Sequence, residues 1–161
     1  MAHRKLCKRL LKFISDDHRK HDMVVSSDRN VLNKPLQECS KSGMARTGYS
    51  RSGKCENHDS DAGNHHVCMD INLSDSNSFC SLTGQSDWCR TKGACHDDER
   101  RMCDRDKWCV CQLAFSSVVD KIGCDNVDID CSATSMRALV DYDRDEKHAE
   151  AAACIRAKCD K

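Results

Sequence analysis

Fourteen cysteines in 161 residues constrain this chain more than any other feature. Such a density is met in small scaffolds tied together by disulfides or metal, and the remaining composition says why ties are needed. Hydrophobic residues make up 39% of the chain, but with the cysteines set aside only roughly three residues in ten are apolar, a low share for a globular domain. Aromatic residues add only 4%. A chain this polar cannot hold itself by burial alone and needs staples or partner surface. Its length suits one domain with appendages, and 26 basic against 26 acidic residues argue against a globally basic nucleic-acid binder.

The chemistry of the cysteines depends on the compartment. The opening stretch, MAHRKLCKRLLKFISDDHRK, is basic but has no uninterrupted apolar run and no small-residue cleavage site, and no stretch is apolar enough to span a membrane. The expectation is an intracellular origin. Two settings then remain open: reduced thiols and metal sites in a cytosol, or disulfides in a non-secretory oxidising setting such as an organelle compartment or a virus particle.

Three regions are predicted. Residues 1–24 form a basic arm, with seven basic and three acidic residues. Within it Leu6, Leu10, Phe13 and Ile14 fall on one face of an amphipathic helix over 4–15, surrounded by Arg4, Lys5, Lys8, Arg9 and Lys12. The apolar face suits a protein partner in a larger assembly, and the basic face an acidic protein, nucleic acid or an anionic membrane surface. Residues 25–142 form a Cys-rich α+β domain, and residues 143–161 a C-terminal helix, Ala-rich from Glu146 to Cys159.

Within the domain, residues 30–56 read as loop, with the only proline at Pro35 and turns at Gly43, Gly48 and Gly53. Gly48 to Cys55 nearly matches a phosphate-cradling loop. It lacks the preceding apolar strand, the following helix and the hydroxyl for magnesium, so the match is set aside. Val67, Met69 and Ile71 alternate with His66, Cys68 and Asp70, the pattern of a half-buried strand whose polar face carries an imidazole, a thiol and a carboxylate. From Asn72 to Asp106 no period survives, and a loop of that length needs sulfur to hold it; Asp97 to Arg101 reads as a solvated charge run.

Order returns in Trp108-Cys109-Val110-Cys111. On a strand Cys109 and Cys111 share one face, with Cβ atoms roughly 6.5 Å apart, too far for a disulfide with each other but within reach of a third partner. A helix follows, in which Phe115, Val118, Val119 and Ile122 take core spacing and Gly123 ends the turn. Residues 127–131 alternate as a further strand. Thr134 is the expected cap of a helix that turns Met136, Leu139 and Val140 inward.

Several of these stretches, taken in order, carry a resemblance. Asn30-Val31-Leu32 with Pro35-Leu36 and Cys39-Ser40, Thr47-Gly48-Tyr49 to Cys55, Gly63 with His65 or His66 and Val67-Cys68, Trp108-Cys109-Val110-Cys111, and Val127 and Ile129 with Ala133-Thr134 and Ala138-Leu139 together resemble the uncharacterised bacterial and algal family known as domain of unknown function 2237, over residues 30–142. The resemblance implies a compact single domain with recurring thiols at Cys39, Cys55, Cys68, Cys109 and Cys111, and no known reaction. The chain departs from the family at Arg90 to Asp106, where a proline- and glycine-rich segment is expected, and at Ser135, where a histidine is expected. The nine remaining cysteines read as additions special to this protein.

The fold class expected is therefore α+β: a small domain with a short mixed sheet, packed helices and long Cys-rich loops. Three chemistries compete for its sulfur. Structural disulfides suit a non-enzymatic accessory module within a larger assembly. Zinc, the one cofactor that the residues suggest, suits Cys68, Cys109 and Cys111 with His66 or His65. Thiol catalysis would rest on Cys39 or Cys55, the latter beside Lys54. No serine nucleophile elbow or dinucleotide fingerprint competes with these.

Overall fold

The computed structural model describes residues 29–73 and 78–160; the basic arm predicted over 1–24 lies outside them. The centre is an antiparallel ladder of β1, Val67–Asp70, and β4, Lys107–Val110, with Cys68 opposite Cys109 and Met69 opposite Trp108. Between them in sequence come the short helix α1, Phe79–Leu82, a turn of 3-10 helix over Trp88–Arg90, and a small hairpin of β2, Gly93–Ala94, with β3, Met102–Cys103. Three helices follow: α2, Gln112–Ile122, α3, Met136–Tyr142, and α4, Ala149–Cys159. The fold is a small α+β domain. Its ladders are antiparallel, and the parallel contribution is a single bridge between Met44 and Asp104. No helix among the described residues is long and apolar enough to cross a membrane.

Why these elements form is visible in their side chains. β1 and β4 are rich in Val, Met and Trp, which fit a pleated surface, and Val67, Met69, Trp108 and Val110 all enter the main core. The segment expected as a strand over 127–131 runs along the other edge of β1. Asp70 N donates to Asp128 O, Asp130 N donates to Cys68 O, and Met69 bridges Ile129. Helix α2 buries Phe115, Val118 and Val119 against this sheet, and Gly123 closes it at φ 79°, a left-handed value that glycine adopts at little cost. Helix α4 contributes Ala151, Ala152 and Ile155 to the same core and packs on α2 and α3.

The structure corrects the local expectations in four places. Ser135, not Thr134, caps α3: its side chain accepts from Arg137 N, while the Thr134 hydroxyl accepts from Cys68 N. The residues of α3 turned fully inward are Ala138 and Tyr142, whereas Met136, Leu139 and Val140 are half-buried. The polar face expected over 66–70 reaches solvent only at Asp70, because His66 and Cys68 are buried about as completely as Val67. Finally, Cys109 and Cys111 do not share a face. The strand ends at Val110 and Cys111 is the N-cap residue of α2, so Cys111 joins the main core while Cys109 joins a separate buried cluster.

Six disulfides stitch the described residues. Two are local and lie in the segment expected to be a sulfur-held excursion: Cys80–Cys89 braces α1 against the Trp88 turn, and Cys95–Cys103 closes the hairpin. Two interleave across the β1–β4 ladder, Cys39–Cys68 and Cys55–Cys109. The last two, Cys124–Cys154 and Cys131–Cys159, tie α4 to the turns around the 127–131 segment. Cys111 is disulfide-bonded as well, and among the described residues no cysteine is free.

Candidate functional site

The sulfur centre is built on the β1–β4 ladder. Cys68 and Cys109 face each other across it, and neither amide bonds to the opposite strand: Cys68 N donates to Thr134 Oγ1 at 3.1 Å and Cys109 N to Thr47 Oγ1 at 2.9 Å. Such a pair is the closer kind in an antiparallel ladder, with side chains near each other. Cys39 and Cys55 arrive from the loop over 30–56. That loop is fixed by its own backbone, since Cys39 N and Ser40 N both donate to Gly53 O and Gly53 N donates to Thr47 O. The Gly48 to Cys55 stretch is therefore a cradle for Cys39 rather than for a phosphate. With Ala133 the four sulfurs form a compact buried cluster, none more than 1% exposed.

The residues predicted as metal ligands are divided by this arrangement. Cys68 and Cys109 stand together in the sulfur cluster, bridged to Cys39 and Cys55, while Cys111 lies in the main core. His66 points into a third environment. Cys39 and Cys55, the candidates for thiol catalysis, present no thiolate as disulfides.

His66 is 1% exposed, and neither ring nitrogen has a hydrogen-bond partner. Burial drives its pKa from 6.5 to about 4, against the opposing pull of Asp61, with Arg137 adding to the fall. The imidazole is thus neutral at neutral pH, with Nδ1 3.7 Å from Asp141 Oδ2. Burial raises the Asp141 carboxyl, although Arg137 at 3.0 Å favours its ionised form. On the neighbouring turn Asp61 accepts from Gly63 N, His65 N and the His65 ring, the last at 2.7 Å. Burial alone would raise its pKa, yet these bonds hold it below the usual carboxylate range. Asp61 and Asp141 were missed from the sequence. Neither belongs to a motif, and only the fold brings them to His66. Ser135, where the family resemblance leads one to expect a histidine, is beside this group, its amide donating to His66 O.

Two further features lie on the surface. Arg51 and Arg105 both sit over the Trp108 indole, at 5.1 and 5.3 Å from its ring centre, and Trp88 leans on the same indole. An open cleft of about 810 Å³ lies between the end of β1 and the turn after α2, lined by Asp70, Asp125, Asp128 and Lys158 among others.

The sequence pattern of the family described as an uncharacterized protein conserved in bacteria (DUF2237) matches residues 29–149. No curated protein matches the chain.

Proposed function

We propose, for a chain that belongs to the DUF2237 family, a structural role: a non-catalytic, disulfide-stapled module that serves as a subunit of a larger assembly in an oxidising setting. The observation that carries this reading is the state of the sulfur. Every described cysteine is bonded to another, so the thiols are used as ties. The thin apolar composition supports it, because the ties offset what burial does not supply. The assembly role rests on the sequence of residues 4–15, whose apolar face Leu6, Leu10, Phe13 and Ile14 suits a protein partner and whose basic face suits an acidic one.

Two measurements test the parts separately. Intact mass of the denatured chain, with and without reductant, should rise by two hydrogens per bridge, and a chain whose thiols are all free refutes the stapled reading. Native size in an extract should exceed that of one chain and fall when residues 4–15 are replaced by a polar sequence. A protein that migrates as a monomer in its native extract refutes the assembly reading while leaving the staples intact.

A further inference from the structure

We propose that Cys39, Cys55, Cys68 and Cys109, when reduced, form one tetrahedral zinc site, so that a single buried cluster has two chemical closures. In an oxidising setting it holds two disulfides, and in a reducing one it holds a Zn²⁺ tetrathiolate. This goes beyond the structural reading and does not depend on it.

The geometry points to this cluster and away from the other sulfur pairs. The Sγ atoms of Cys39, Cys55 and Cys68 all lie within 4.8 Å of one another, and Cys109, the fourth, is bonded to Cys55. A zinc tetrathiolate with Zn–S near 2.3 Å places its sulfurs about 3.8 Å apart. Cleavage of the two S–S bonds frees all four side chains to rotate toward that spacing. Two ligands stand on the β1–β4 ladder and two on a loop whose own hydrogen bonds fix it, so all four are carried by backbone that is already held in place. Structural zinc prefers such a closed, four-coordinate, all-protein set. The alternative group of Cys95, Asp97 and Cys103 supplies three donors, one of them on an exposed residue.

The chemistry balances with a thiol or phosphine reductant. Each disulfide takes two electrons and two protons to give two thiols, while the reductant is oxidised to its disulfide or phosphine oxide. Zinc then binds with release of the four thiol protons. Both closures join the same points of the chain, Cys39, Cys55, β1 and β4, so the fold is tied alike in either state.

The test uses the full chain, unfolded and completely reduced, then refolded without oxygen in a phosphine reductant with Zn²⁺ or without metal. Zinc retained after desalting should be about one equivalent, and alkylation mapped by mass spectrometry should find Cys39, Cys55, Cys68 and Cys109 protected only when zinc is present. Co²⁺ in place of zinc should give the visible absorption of a tetrahedral thiolate site. The paired variant Cys39→Ser with Cys68→Ser should lose the metal, whereas Cys80→Ser with Cys89→Ser should keep it, which separates loss of the site from general misfolding. Retention of less than about half an equivalent, or zinc-dependent protection of a different set of cysteines, overturns the proposal. The disulfide count of the oxidised chain bears on the stapled reading alone.

Discussion

Replacing both cysteines of the Cys55–Cys109 bridge with alanine should destabilise the oxidised protein more than the same replacement at Cys95–Cys103. The first bridge spans 54 residues and the second 8. In the loop-entropy description of cross-links, closing loops of those lengths restricts the unfolded chain by about 4 and about 2.5 kcal/mol respectively. Each substitution also removes two buried sulfurs, since Cys55, Cys95, Cys103 and Cys109 are between 0 and 6% exposed. The packing loss is therefore similar in the two variants and largely cancels in the comparison. A difference of about 1.5 kcal/mol should remain, or about 3–6 °C in Tm for a domain of this size. Urea unfolding read by tryptophan emission measures it directly. The denaturant slope should also rise more for the long-range variant, whose unfolded chain expands further. Equal losses in the two variants, or a larger loss at Cys95–Cys103, would show that the bridges act mainly on the folded state and would refute the reasoning.

Three further outcomes follow from local geometry. The His66 pKa of about 4 in the fold, against 6.5 in a free imidazole, means the unfolded chain binds the extra proton first. This contribution is complete above pH 6.5 and lost as pH falls toward 4, about 3 kcal/mol in all. Stability curves of wild type and His66→Asn should therefore converge or separate by that amount across the interval, and parallel curves would deny the burial argument. Thr47→Val should cost about 1–3 kcal/mol, because the buried Cys109 amide loses its acceptor, and Thr47→Ser should restore most of it. Gly48→Ala should cost more than Gly84→Ala in a thermal melt. Both have positive φ, at 92° and 63°, but a Cβ at Gly48 meets the Lys54 carbonyl oxygen at 2.5 Å while Gly84 faces open space.

What the sequence revealed and what it hid divide along the range of the interactions. Helix α2 was legible because Phe115, Val118, Val119 and Ile122 repeat at local spacing and Gly123 marks the end. The edge segment over 127–131 was legible by alternation. The role of sulfur in the stretch from Asn72 to Asp106 followed from its lack of any period, although the two short bridges there could not be paired by inspection. Misreadings came where neighbours in sequence have different surroundings in space. Thr134 and Ser135 are both good caps, and only the position of Cys68 decides which hydroxyl is diverted. The alternation rule placed Cys109 with Cys111 because it assumes a continuing strand, and the chain turns into a helix one residue too soon. The sulfur centre depends on the opposition of Cys68 and Cys109, 41 residues apart in the chain, and His66 with Asp141 depends on a helix packing back on a turn. Neither leaves a local trace.

The interlocking of Cys39–Cys68 with Cys55–Cys109, and of Cys124–Cys154 with Cys131–Cys159, also governs how the domain answers tension. Pulled from the two ends of the described chain, it can release only the short stretches between successive bridges, since the rest of the contour is shunted through sulfur. Among the described bridges the longest unshunted run, Cys109 to Cys124, is the one carrying α2, so that run sets the largest single extension such a molecule can give while its bridges hold.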